Sequence, residues 1–258
     1  MTLWPSYGQK TKTKINPKIW VSMGARASHY QNLTDLPQGK SRDIYIELQK
    51  AILSHGLLPG VKLSEDEVGE LFGASRTIVR TALQALAHSQ LVTIEKNRGA
   101  FIAQPSIKEA QEVFEARELI EPRVAGMAAK IITPKDIEIL QNHIKAEHDA
   151  IAAGDKGEAL SLSGFFHVII ADIAEHDVFS KIVRSLISRS SLIIALYWKR
   201  LDTTCESHSH HALLDAFAEN DVQAAEKIMK SHIVDLHSGL DLKSRSQSKQ
   251  SLATILNK

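Results

Sequence analysis

The sequence predicts a mostly α protein: an N-terminal winged helix-turn-helix with a small β wing, followed by an all-α bundle of six helices. Two observations predict this class. Residues 64–103 hold two short helical stretches, a tight turn between them and two short strands directly afterwards. Beyond residue 106, apolar residues recur at helical spacing in six successive stretches. A chain of 258 residues is long enough for two domains.

The helix-turn-helix is centred on Gly73 and Ser75. Gly73 suits the left-handed residue that ends one helix, and Ser75 is a favourable N-cap for the next. After Ser75, one face of the predicted helix is apolar and consists of Val79, Ala82, Leu83 and Leu86. The polar residues that would meet base edges and phosphates are Arg76, Thr77, Arg80, Thr81 and Gln84. Taken alone, either arginine is more typical of a solvated helix face.

The segment after this helix favours a role in DNA binding. Residues 91–95 alternate as a strand, residues 96–99 form a tight turn, and residues 100–103 return as a second strand. The tip of this hairpin carries Lys96, Arg98 and Gly99. A helix-turn-helix followed by a basic hairpin is a winged helix, whose tip can lie over a phosphate backbone or a minor groove.

The six helical stretches follow the wing. The first covers residues 107–132 and is either one long helix or a kinked pair, because Pro122 lies inside it. Thr133 followed by Pro134 is typical of a helix start, and this second helix extends to about residue 153. The other four predicted helices cover about 156–174, 178–200, 209–219 and 221–242.

The predicted layout has five parts: a flexible N-terminal arm (1–38), a winged-helix domain (39–104), a linker (105–108), a helical domain (109–242) and a tail (243–258). The net charge is +4 over 1–38, +1 over 39–104 and −4 over 105–258, so positive charge is concentrated towards the N-terminus. The arm either touches DNA phosphates or is an unstructured extension, and Met23 is an alternative start.

Composition argues against several protein classes. Cys205 is the one cysteine, so there is no intrachain disulfide framework and no CxxC metal site. The first residues lack the apolar stretch of a signal peptide, and the longest apolar run, 192–198, is too short to span a bilayer. We therefore expect a cytoplasmic protein that has no membrane partner.

The first domain resembles the DNA-binding domain of GntR-family bacterial transcription regulators. The resemblance rests on ordered residues within 52–65, then on 75–86, and finally on Arg98-Gly99-Ala100-Phe101-Ile102. It implies a homodimer that binds a double-stranded operator with a short inverted repeat. Two positions depart from the family pattern, since Ile78 stands where Pro is common and Thr81 where Glu is common.

The second domain resembles the FCD effector domain of the FadR subfamily of these regulators. The resemblance rests on 114–129, on Phe166-His167, and on a series of residues between His210 and His232. It implies a small carboxylate effector. It also implies a divalent metal held by His167, His210 and His232, which imidazole chemistry suggests is Zn or Ni.

Two residues complete the expected effector site. Ser163 stands four residues before His167, where the family has a metal-binding Asp, so a water or the effector's carboxylate would fill that position. The family places an arginine equivalent to Arg117 in the pocket, where its fork can bind a carboxylate. The alternatives are a surface pair between Arg117 and Glu121 and three histidines that only hydrogen-bond in a polar cavity.

The sequence therefore predicts a ligand-responsive bacterial transcription regulator, expected to be a repressor released by its effector, and not an enzyme. One alternative is a metalloenzyme with a catalytic zinc on the three histidines. No general base near them can be argued from the sequence, and the winged helix would have no role. The other alternative is an architectural DNA-binding protein without a ligand.

Overall fold

The computed structural model describes residues 36–198 and 204–243, with the side chains of residues 204–207 excepted. The predicted arm is described only at residues 36–38 and the predicted tail only at residue 243; the rest of each lies outside the described residues. Within the described ranges, nine helices and three short strands form the two parts that the sequence predicts.

The N-terminal part has the order of a winged helix. Helix α1 (Lys40–Leu53) is followed by β1 (Lys62–Leu63), α2 (Glu65–Phe72), α3 (Arg76–His88), β2 (Val92–Glu95) and β3 (Gly99–Ile102). The three strands form an antiparallel sheet in the order β1-β3-β2. The sequence analysis did not predict β1, which has only two residues and is held by its pairing with β3.

The turn between α2 and α3 has the predicted geometry. Gly73 has φ 58° and ends α2 in the left-handed region. Ser75 occupies the N-cap position of α3 with extended backbone, but its side chain makes no capping hydrogen bond. Gly69 permits a close approach, because a Cβ at this position would lie 2.9 Å from the carbonyl oxygen of Ala74. The tight turn and the buried apolar face of α3 fix that helix against the domain core.

The C-terminal part is an all-α bundle of six helices: α4 (Ile107–Ile131), α5 (Pro134–Ala152), α6 (Lys156–Ile173), α7 (Asp177–Tyr197), α8 (Thr204–Ala218) and α9 (Val222–Ser238). Helix α4 packs most extensively against α9, and α5 packs against α6 and α8. Pro122 lies within α4, which is a single helix of 25 residues. The structure therefore has one long helix here, the first of the two predicted alternatives.

Side chains cap the helices at the predicted starts. Thr133 forms a capping box with Asp136 at the start of α5. The side chain of Ser106 accepts a hydrogen bond from the backbone N–H of Glu109 and caps α4, and Asp221 caps α9 in the same way through Ala224. These caps fix where the helices that carry the candidate site begin.

The winged helix and the helical bundle are in contact. His55 Nε2 lies 3.0 Å from the carbonyl oxygen of Ser191, and the Ser191 hydroxyl donates to the carbonyl of Leu53. A Cβ on Gly157 would lie 2.1 Å from the carbonyl oxygen of Ser54. The backbone at the end of α1 therefore contacts the backbone at the start of α6, where only a glycine fits. No helix among the described residues is long and apolar enough to cross a membrane.

Candidate functional site

Helix α3 separates its apolar and polar residues as the sequence predicts. Val79, Ala82 and Leu86 have no exposed surface, whereas Arg76 and Arg80 lie on the solvent side. Thr77 and Gln84 are also exposed, and Thr81 is half-buried, with its hydroxyl donating to the Thr77 carbonyl. The structure therefore places all five predicted α3 residues outside the domain core.

Acidic residues at the start of α2 hold both arginines of α3. Arg76 Nε lies 2.5 Å from Asp66 Oδ1, and Arg80 donates two hydrogen bonds of 2.9 and 2.8 Å to Glu65. The arginine side chains remain 70% and 58% exposed. Exposed ion pairs contribute about 0–1 kcal/mol, so the guanidinium groups can exchange these carboxylates for DNA at low cost.

The wing presents its basic tip to solvent. Lys96 and Arg98 are exposed, and Arg98 pairs with Glu95 and lies over the Phe101 ring at 5.3 Å from its centroid. Gly99 has φ 103°, a backbone conformation that residues other than glycine rarely adopt. The hairpin can thus bring its two cations to a phosphate backbone.

The three predicted metal-ligating histidines lie together inside the helical bundle. His167 on α6, His210 on α8 and His232 on α9 are 3%, 0% and 2% exposed. Their ligand atoms all lie within 4.8 Å of one another. The Nε2 atoms of His167 and His232 are 3.3 Å apart, and the buried Nε2 of His210 has no hydrogen-bond partner among the described residues.

The protonation of these rings suits metal binding. Burial lowers the pKa of His210 to about 3 and also lowers the pKa values of His167 and His232. All three imidazoles are therefore neutral at pH 7 and each has a lone pair to donate. The unpartnered His210 Nε2 and the convergence of three nitrogens fit a divalent transition metal.

Two buried carboxylates that the sequence analysis did not assign to this site contact the histidines. Glu121 Oε2 lies 2.6 Å from His167 Nδ1, and Glu147 Oε2 lies 2.9 Å from His210 Nδ1. His143 precedes Glu147 by one helical turn on α5, but this spacing is equally typical of a solvated pair, so the sequence alone does not mark Glu147 as buried.

Arg117 lies inside the bundle and is only 2% exposed, so the alternative of a surface pair is wrong. Its Nε donates to Glu121 Oε1 at 2.5 Å, and its Nη1 donates to Ser190 Oγ at 3.2 Å. Burial alone would raise the pKa of Glu121, but Arg117 and His167 outweigh it and hold that pKa at about 2. The Arg117 fork is thus occupied by a carboxylate of the chain itself.

Ser163 is buried on α6, one helical turn before His167. Its short side chain brings a hydroxyl and no negative charge to this turn. The carboxylates nearest the histidines come instead from α4 and α5.

Acid is expected to destabilise the chelator-treated protein below about pH 6.5. Unfolded histidines titrate near 6.5, whereas the buried rings of His167, His210 and His232 titrate lower. The unfolded chain therefore binds more protons than the folded chain in this window, and protonation favours unfolding. Glu147 opposes this effect, because burial raises its pKa from 4.5 to about 7. Between about pH 7 and pH 4.5 the folded chain therefore binds a proton at Glu147 that the unfolded chain does not, which favours folding. Below about 4.5 that opposition ends, and the slope should be steepest.

Urea unfolding in the presence of EDTA, from neutral pH to about pH 3.5, measures this slope. We expect the midpoint to fall as the pH falls. A midpoint that stays constant or rises towards pH 3.5 would show that the histidines are not held neutral.

The family of the chain follows from models that match each part of it. The model described as bacterial regulatory proteins of the gntR family matches residues 40–102, which span the winged helix. The model of the FCD domain matches residues 112–235, which lie in the helical bundle. The three histidines fall inside the FCD match, and the recognition helix falls inside the gntR match.

Relatives support the same family. The Uxu operon regulator of Haemophilus influenzae is 28% identical over 207 residues, which cover 72% of this chain and 77% of that protein. The HTH-type transcriptional repressor RspR of Escherichia coli is 25% identical over 200 residues, or 77% of this chain and 88% of that protein. Both are named as regulators, so they lend no support to the metalloenzyme alternative.

A solved structure shows the same fold. The transcriptional regulator GntR from Rhodococcus sp. RHA1 matches with a TM-score of 0.68 and 23% identity, over 78% of this chain and 97% of that one. At this identity the match supports the architecture alone. The two family models and the named relatives carry the assignment: the chain belongs to the GntR family and is a DNA-binding transcription regulator with an FCD domain.

Proposed function

We propose that this regulator is a homodimeric repressor, released from DNA by a small carboxylate effector that binds at a metal centre in its helical domain. Residues 39–104 would form the DNA-binding domain and residues 109–242 the effector domain, joined by 105–108. The repressor assignment is supported by the relative RspR of Escherichia coli, which is a transcriptional repressor by name. Two winged helices of a dimer would bind the two halves of a short inverted repeat.

The proposed DNA contacts come from two surfaces of the winged helix. The N-terminal part of α3 supplies the exposed arginine forks, and the wing supplies contacts to the phosphate backbone. The residues concerned are Arg76, Thr77, Arg80, Thr81 and Gln84 on α3, and Lys96, Arg98 and Gly99 on the wing.

The observation that carries the metal proposal is the buried cluster of His167, His210 and His232, in which His210 Nε2 has no partner among the described residues. A buried polar nitrogen without a hydrogen bond costs about 1–3 kcal/mol, which a coordinated ion would recover. Zn or Ni bound here would act as a Lewis acid with an open position for an effector oxygen. The three neutral imidazoles would hold it.

Two further residues are proposed to contact the effector. Ser163 brings a buried hydroxyl to the turn before His167. Arg117 would bind the effector carboxylate by exchanging an oxygen of Glu121, because that side chain occupies its fork in this structure. Such an exchange would give the effector a means of altering the contacts of α4 with α6 and α7.

Neighbouring residues on α7 support a route from this site to the DNA-binding domain. Ser190 accepts a hydrogen bond from Arg117, and Ser191 donates to Leu53 at the end of α1. A movement of Arg117 would therefore change its hydrogen bond to α7, and α7 in turn contacts the end of α1. The effector changes DNA affinity only if it binds one arrangement more tightly than the other.

A thermal-shift panel tests this proposal. Small monocarboxylates, dicarboxylates and sugar acids are added to zinc-loaded and to EDTA-treated protein. A ligand at 100 times its Kd adds about 2.7 kcal/mol to the native state, and we expect a melting-temperature rise that requires zinc. His210→Ala should abolish this response, whereas the matched control His211→Ala, an exposed neighbour, should retain it.

The outcomes separate the parts of the proposal. A response that persists in EDTA would overturn the metal-dependent site. If no carboxylate in the panel shifts the melting temperature of the zinc-loaded chain, the proposed effector class is wrong.

A further inference from the structure

A buried carboxylate on a helix that carries none of the three histidines contacts the histidine cluster. Glu147 on α5 is 1% exposed, and its Oε2 lies 2.9 Å from Nδ1 of His210. The other ring nitrogen of His210, Nε2, is the one without a hydrogen-bond partner among the described residues. The two nitrogens of one ring thus have different environments.

This contact decides which nitrogen of His210 carries the proton. When Glu147 is ionised, its carboxylate accepts a hydrogen bond from Nδ1–H, so the neutral ring keeps its proton at Nδ1 and a lone pair at Nε2. A metal ion needs that lone pair. Outer carboxylates that fix the tautomer and orientation of a ligating histidine typically raise metal affinity 10- to 100-fold.

The charge around Glu147 points the same way. Glu121, the other buried carboxylate that contacts the histidines, is already paired with the guanidinium of Arg117. Glu147 instead contacts Nδ1 of His210. A buried carboxylate that pairs with no guanidinium or ammonium group among the described residues is costly inside a bundle, and a bound cation nearby would offset that cost.

We propose that Glu147 is a positioning residue of the metal centre, which holds His210 with Nε2 turned towards the ion without ligating the ion itself. The inference rests on the proposed three-histidine metal site. It adds a carboxylate from α5 to a site whose histidines come from α6, α8 and α9.

The test compares zinc affinities by competition with a chromophoric chelator. Glu147→Gln keeps the size of the side chain but removes its charge, and its amide can donate to His210 instead of accepting. We expect zinc to bind about 10- to 100-fold more weakly. Glu138→Gln, at an exposed position on the same helix, is the matched control and should bind as the unmodified chain does.

Two spectroscopic readouts separate positioning from direct ligation. The visible spectrum of Co²⁺ at saturation should be the same in Glu147→Gln as in the unmodified chain, because the inner ligands are unchanged. Imidazole ¹⁵N NMR of the zinc-loaded unmodified chain needs no variant and should show His210 bound through Nε2, with a proton on Nδ1.

Three results would overturn the inference. One is a Glu147→Gln affinity within about twofold of the unmodified chain, against the 10- to 100-fold expected. The second is a changed Co²⁺ spectrum, which would make Glu147 a ligand. The third is His210 bound through Nδ1. An unmodified chain that binds no zinc would remove the proposed metal site together with this inference, which distinguishes the two failures.

Discussion

Arg80→Ala is expected to weaken operator binding by about 1–3 kcal/mol, or roughly 5- to 150-fold, and to lower the salt slope by about one if its contact is to phosphate. The Arg80 side chain lies on the exposed face of α3 in the first turns of the helix, where a recognition helix meets DNA. Its pair with Glu65 is exposed and therefore inexpensive to exchange.

The operator for this measurement can be obtained by selection from a random double-stranded library. Fluorescence anisotropy at several salt concentrations then gives the affinity and the slope. Arg123→Ala, an exposed arginine on α4 in the helical bundle, is the control and should leave both unchanged. If Arg80→Ala leaves affinity and slope at their original values, α3 does not make the contacts assigned to it.

Removal of metal is expected to lower the melting temperature by about 5–10 °C. Zinc at 100 times its Kd adds about 2.7 kcal/mol to the folded state, and each kcal/mol corresponds to roughly 2–4 °C in a protein of this size. The ion would also satisfy the unpartnered nitrogen of His210. Differential scanning calorimetry of zinc-loaded and EDTA-treated chain measures the difference.

Variants on one helix make this measurement specific. His232→Ala should abolish the difference between the zinc-loaded and EDTA-treated states. His237 lies on the same helix and pairs with Glu118. The control variant His237→Ala should preserve the difference between the zinc-loaded and EDTA-treated states. An equal zinc shift in His232→Ala would place the ion elsewhere.

Local sequence signals were sufficient for the winged helix. Gly73 and Ser75 indicate the turn because their conformations depend on adjacent backbone. The apolar face of α3 can be predicted from the helical spacing of its apolar residues. Strand β1 could not be predicted in the same way. Its two residues are too few to form an alternating pattern, and it exists through its pairing with β3, about 40 residues away in the chain.

The candidate site shows where sequence reasoning ends. Spacing alone cannot bring His167, His210 and His232 together, because their meeting depends on how three helices pack; the family resemblance supplied that expectation. Arg117 and Glu121 are one helical turn apart, a pattern equally typical of a surface pair. Only the packing of α4 shows that the pair is buried.

Glu147 was missed because a glutamate on an amphipathic helix is usually solvated. Its burial depends on contacts of α5 with α6 and α8, which are long-range. A buried acid of this kind is recognised only when its partner, here His210, is seen beside it.

Anomalous diffraction at the zinc absorption edge, from crystals of the zinc-loaded chain, tests the proposed metal centre most directly. The account predicts one peak per chain, about 2.0–2.1 Å from Nε2 of each of His167, His210 and His232. A zinc-loaded crystal with its peaks elsewhere, or with none inside the helical bundle, would contradict it.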